Sequence, residues 1–156
     1  MKILYAARMA RFDLLRVVCQ LATMITKWTL TCDRQLHRLI CYIHSSYEIR
    51  MVGWVSPHDS AFDLHLFSDA DFAGCKDTKR STSGVFLALW GNDTRFPLGN
   101  VSKRQTAVSH STPEAELVAA DLAFRTEGLP ALTMWEVILE PVSYTHLRAH
   151  ETGRNL

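Results

Sequence analysis

Leu64-His65-Leu66-Phe67-Ser68-Asp69-Ala70-Asp71-Phe72-Ala73-Gly74 is the stretch on which the fold of this chain turns. From Phe62 to Leu66 apolar and polar side chains alternate, Phe62, Leu64 and Leu66 against Asp63 and His65. That period of two is the pattern of a half-buried strand. The strand then ends in acid. Asp69 and Asp71, one residue apart and followed by the small residues Ala73-Gly74, put carboxylate oxygens at a sheet edge, where a hard cation such as Mg²⁺ finds its preferred ligands. Asp and Gly are also ordinary residues of a solvated turn, and on these residues alone both readings stand.

Working outward, the chain of 156 residues has room for one medium domain, or for a small domain with part of a neighbour. With 47% hydrophobic and 21% charged residues it is expected to build a packed core rather than stay disordered. The formal charge of +1 hides an asymmetry: residues 1–56 hold eight Lys/Arg and three Asp/Glu, residues 57–141 seven and twelve. A basic segment followed by an acidic one suggests two functional parts, with nucleic acid a partner for the first. Cys19, Cys32, Cys41 and Cys75 form no C-x-x-C pair and no disulfide-scaffold spacing, so they are expected to be free thiols in a reducing compartment. Arg8, Arg11 and Asp13 interrupt the apolar opening too early for a signal peptide, and no run approaches a membrane span. An intracellular, soluble protein is expected.

Before the acidic strand, residues 3–43 show helical spacing, first in Leu14, Leu15, Val17, Val18, Leu21, Ala22 and Ile25, then in Trp28, Leu36, Leu39, Ile40 and Ile43. Asp33 is placed as the N-cap of a second helix. The segment reads as an αα-hairpin with Arg8, Arg11, Arg16, Lys27, Arg34 and Arg38 on its outer faces, either a solvated surface or a nucleic-acid contact. Residues 53–60, with Ser56-Pro57-His58-Asp59, read as a linker or turn and the internal boundary.

After the strand, residues 76–84 read as a polar loop and residues 85–90 as a central strand. Gly91-Asn92-Asp93 turns the chain into a third strand over residues 96–102, which Pro97 and Gly99 confine to a sheet edge. Ser111-Thr112-Pro113-Glu114 then opens a helix, with Pro in the first turn and Ser111 to Glu114 spaced as a capping box. On that helix Glu116 shares a face with Ala119, Ala120 and Ala123. A carboxylate on an alanine stripe either points inward to a metal or other partner, or sits at the edge of the stripe and reaches water. Gly128-Leu129-Pro130 is expected to end the helix before another begins at Ala131.

Four stretches in order, Ser68-Asp69-Ala70-Asp71-Phe72-Ala73-Gly74, Arg80-Ser81-Thr82-Ser83-Gly84, Ser102-Lys103-Arg104-Gln105 and Ser111-Thr112-Pro113-Glu114-Ala115-Glu116-Leu117, closely resemble the ribonuclease H domain of Copia-type LTR retrotransposon polyproteins. The helical segment before them resembles the end of the adjoining reverse transcriptase. The resemblance implies an α/β fold: a ribonuclease H-like mixed sheet with order 3-2-1-4-5, preceded by an α-helical hairpin. It implies Mg²⁺-dependent cleavage of the RNA strand of RNA/DNA hybrids, with two cations held by carboxylates. Asp69 matches the first-strand aspartate and Glu116 the helix glutamate, which favours the functional reading of both; Asp71 and Glu114 match flanking positions. Lys103 and Arg104 become candidate contacts to the hybrid backbone. The rest of the polyprotein becomes a partner, and the location a cytoplasmic virus-like particle or the nucleus.

The resemblance stops before the family's fourth strand, which carries the third catalytic aspartate. From Val142 the chain reads Val142-Ser143-Tyr144-Thr145-His146-Leu147-Arg148-Ala149-His150-Glu151-Thr152, which resembles one reading frame of a transposase adapter used in sequencing libraries. Residues 142–156 are therefore expected to be an assembly artefact, and His146 and His150 no metal site. The expected domains are 1–56, the helical end of the reverse transcriptase, and 57–141, an incomplete ribonuclease H-like domain with strands 1–3 and the following helices. Its first strand would lie on an open edge, and the fragment would itself be inactive. The alternatives are a non-catalytic nucleic-acid-binding module and a decayed element with no role.

Overall fold

The computed structural model describes residues 2–75 and 77–139. Residues 142–156, His146 and His150 among them, lie outside the described residues.

Three helices come first: α1 (Lys2–Met9), α2 (Leu15–Ala22) and α3 (Leu30–Ser45). The expected hairpin is thus three helices, not two, because the first arm breaks after Met9 and restarts through a 3₁₀ turn over Phe12–Leu14. Arg11 holds the break. Its guanidinium donates to Asp13 Oδ1 and Oδ2 at 3.0 and 2.8 Å and to the carbonyl and hydroxyl of Ser46 at 3.0 and 2.9 Å. These contacts reach 35 residues along the chain, which no local periodicity reports. The N-cap of α3 is Thr29, not Asp33: Thr29 Oγ1 accepts from the Cys32 N–H at 3.4 Å, while Asp33 sits in the first turn and accepts from Trp28 Nε1 at 2.7 Å. Ala7, Leu14, Leu15, Leu21, Cys32 and Leu39 form one buried cluster joining the three helices.

A three-stranded antiparallel sheet follows: β1 (Asp63–Asp71), β2 (Thr82–Trp90) and β3 (Arg95–Arg104), in the order β1-β2-β3. The class is α/β; the strands described pair only antiparallel, so the parallel part of a mixed sheet is not among them. Among the described residues β1 and β3 are the two edges, β3 in the place that Pro97 and Gly99 suggest. The bulge beside Pro97 lets Ala88 pair with Pro97 and Leu87 with Gly99, leaving Leu98 as the extra residue. β2 starts at Thr82, earlier than its apolar run, because the hydroxyl of buried Ser83 accepts from Gln105 Nε2 at 3.0 Å and so need not face water.

Residues 53–60 are not a free linker. Trp54 bridges Arg95 and its Nε1 donates to the Asp93 carbonyl at 2.7 Å; the Ser56 N–H donates to buried Thr94 at 2.9 Å. Asp59 accepts from the Asp93 N–H, which docks the whole stretch onto the β2–β3 turn.

Helix α4 (Thr112–Ala123) begins at Ser111, whose Oγ accepts from the Glu114 N–H at 3.3 Å. The other half of the capping box is shifted by one residue, for Glu114 Oε2 accepts from the His110 N–H at 2.7 Å. Ala115, Ala119 and Ala123 are buried, and the first two pack against Ala70 of β1. Gly128 does not end the helix. The chain passes through a π turn over Phe124–Gly128 straight into α5 (Leu129–Leu139), with Pro130 as its second residue, so that the continuous helical path lacks one N–H donor there. Gly128 is there for its size: a Cβ would meet Leu66 Cδ2 at 3.0 Å. Among the described residues no helix is long and apolar enough to cross a membrane.

Candidate functional site

The pleat decides where the acids point. Ala70 pairs with Ser83, and both are buried beneath α4, so their neighbours Asp69 and Gly84 face the opposite side of the sheet. There Asp69 and Asp71 line a cavity of about 380 Å³ between α2 and the sheet, together with Phe12, Arg16, Phe67 and Asn100. The Asp71 carboxylate is taken by the Arg16 guanidinium of α2. Gly74 makes room for it, since a Cβ at that position would lie 2.1 Å from Asp71 Oδ2. The left-handed residue of this turn is Ala73, with φ of 52°. The turn is thus built around the partly exposed Asp71 carboxylate.

Glu116 is half-buried on α4, one position off the Ala115–Ala119–Ala123 row that meets the sheet, and it does not line the cavity. The stripe therefore contains Ala115 where the sequence placed Glu116 among the alanines, and the glutamate flanks it. Asp69 and Glu116 are carried by elements in direct contact, with Asp69 on the face of the sheet away from α4. Glu114 serves the helix cap. Lys103 and Arg104 are consecutive strand residues and project to opposite faces. Lys103 is exposed; Arg104 donates to Thr23 Oγ1 at 3.2 Å, joining β3 to the end of α2.

Hexacoordinate Mg²⁺ needs several converging oxygens. Among the described residues no three His, Cys, Asp or Glu side chains come together as a metal-holding group. With Asp71 engaged by Arg16, these residues do not make up a two-ion site by themselves.

No family model, curated protein or solved structure matches the chain. One arrangement stands out: the four motif stretches, scattered along the chain, lie at one end of the sheet. Asp71 ends β1 opposite Thr82 at the start of β2, and Thr82 pairs with Arg104 at the end of β3. Gln105 then reaches the Ala115 carbonyl in the first turn of α4 at 2.9 Å. Sequence reasoning missed Arg16, Asn100 and Phe67 in this region. Arg16 was visible only as one of six surface cations, and nothing in the sequence marks Asn100.

Proposed function

We propose that the chain is part of a Copia-type retroelement polyprotein, joining the helical end of a reverse transcriptase to the first part of a ribonuclease H-like domain, whose parent cleaves the RNA strand of RNA/DNA hybrids. The convergence of the four motif stretches at one end of the sheet carries this proposal. Asp69 on the first strand and Glu116 on the helix after the third are the two acids the parent would use, with Mg²⁺ as the cofactor of the complete domain. The described residues do not gather enough oxygens for that cofactor, so this chain alone is expected to show no Mg²⁺-dependent cleavage.

The test is to read the source DNA past the codon for Pro141 by a method that uses no transposase adapter. A following β-rich stretch containing an aspartate, expressed with this chain and cleaving a hybrid until Asp69→Asn abolishes it, is the expected result. Residues 142–156 found encoded there, with no strand-forming stretch behind them, would overturn the proposal in its present form. So would clear hybrid cleavage by the chain alone that Asp69→Asn leaves untouched.

A further inference from the structure

The two edges of the sheet are finished differently. At β3, Pro97 has no N–H to offer, Leu98 breaks the register, Lys103 adds an exposed charge and Trp54 bridges Arg95. Those are the devices that keep an edge from pairing with another chain. β1 has none of them. Its nine residues pair with β2 in unbroken register and include no Pro, Gly or Lys. Among the described residues no strand pairs with its other side, so alternate N–H and C=O groups of β1 point outward. Phe67, Ser68 and Asp69 in the middle of the strand are exposed, the Phe67 residue by 41%. α1 and α2 pack over β3, on the far side of the sheet from this edge.

We propose that the β1 edge pairs with the β1 edge of a second copy of this chain, the two strands antiparallel about a two-fold axis at Phe67. Self-complementarity selects a second copy as the occupant. Residues equally far from Phe67 on either side come opposite one another, and opposite residues share a face of the sheet. His65 of each copy then meets Asp69 of the other, donor against carboxylate, twice over by symmetry. Phe67 meets its own copy and carries the aromatic row of Phe12, Phe86 and Phe67, with centroids 6.2 and 6.1 Å apart, across the edge. On the other face Leu64 comes opposite Ala70 and Leu66 opposite Ser68, with no charge among them. The like-charged pair of this register, Asp63 with Asp71, is relieved because Arg16 already neutralises Asp71 and Asp63 is exposed at the strand's first residue. Neighbouring registers are worse. An axis one residue earlier sets exposed Asp63 against Asp69, and one residue later it sets Phe67 against Asp69. The pair is closed, since it uses both β1 edges and leaves the guarded β3 edges outermost. It does not rest on the ribonuclease reading, which the source DNA and hybrid cleavage test separately.

The experiment is sedimentation equilibrium of the full chain, with amide hydrogen exchange read by NMR on dilute and concentrated samples. A single strand pair is a small interface, so a monomer–dimer equilibrium with a dissociation constant of about 10–100 µM is expected. Every second amide of β1 should gain protection in the dimer. Asp69→Lys should weaken the dimer about tenfold, because both symmetry-related pairs are lost together. Adding His65→Glu to Asp69→Lys reverses each pair and should restore the affinity to within about threefold, an outcome that a damaged fold cannot produce. His65→Lys alone should tighten the dimer about threefold. A chain that stays monomeric to about 1 mM, growth beyond the dimer, a dimer indifferent to Asp69→Lys, or a reversed pair that restores nothing would each overturn the proposal. So would protection of those β1 amides in the dilute monomer, since the chain itself would then cover the edge.

Discussion

The Gln105 carboxamide donates to the Ala115 carbonyl at 2.9 Å and to Ser83 Oγ at 3.0 Å, while its oxygen accepts from Ser109 Oγ at 3.0 Å. One buried side chain thereby ties β2, the β3–α4 loop and the first turn of α4. Removing it strands several buried polar groups at once, each costing about 1–3 kcal/mol when unpaired. Gln105→Leu is therefore expected to lower the unfolding free energy by about 3 kcal/mol, and Ser83→Ala by about 1 kcal/mol, read from urea melts. Equal losses for the two would show that Gln105 acts only through Ser83.

The contact of Ala70 with Ala115 and Ala119 leaves no room between β1 and α4. Ala119→Leu is expected to cost about 1–3 kcal/mol by overpacking. Leu117→Ser, at a position 72% exposed on the same helix, should stay within about 0.5 kcal/mol. A tolerated Ala119→Leu would mean that the helix stands further from the sheet than this packing requires.

β1 was legible because its side chains alternate, β2 because its apolar run is short and bounded by turn residues, and the start of α4 because Ser111, Pro113 and Glu114 act on their own neighbourhood. What escaped was set at a distance. The break after α1 depends on Arg11 reaching Ser46, and the docking of residues 53–60 on Thr94 and Asp93. Gly128 misled for a different reason. A glycine near a helix end suggests a left-handed cap, whereas here it admits Leu66 and the helical path continues. Glu116 was placed on the stripe because one position on a helix is only about 100°, too fine a difference to read without knowing that Ala115 meets Ala70.

At the other end of the molecule, hydrogen bonding from Arg11 holds the Asp13 carboxyl below its ordinary value, and the Tyr42 hydroxyl, which donates to Oδ2 at 3.0 Å, acts in the same direction. The folded state thus binds this proton less readily than the unfolded chain. Its stabilisation is complete above the ordinary aspartate range and is lost as pH falls through the lowered folded value. Tyr42→Phe should raise the Asp13 value and shrink the stability lost on acidification, as followed by carboxyl-carbon NMR and by urea midpoints between about pH 2 and 5. An Asp13 titration unmoved by Tyr42→Phe would assign the effect to Arg11 alone.

Glu127 works with the opposite sign. It lies half-buried in the π turn after α4, over Gly99, where a Cβ would stand 2.7 Å from its Oε2, and burial raises its carboxyl above the ordinary value of 4.5. Here the folded state holds the proton more tightly than the unfolded one. The benefit is present below the ordinary glutamate range and disappears as pH rises through the raised folded value, so at neutral pH the fold carries a poorly solvated charge. Glu127→Gln keeps the shape and removes that charge. The variant is expected to be more stable than the parent chain at pH 7.5 and to lose the advantage by about pH 4, measured as urea midpoints at the two pH values. Midpoints for Glu127→Gln that run parallel to the parent's across this range would mean that Glu127 keeps its water when the sheet and the π turn close on each other.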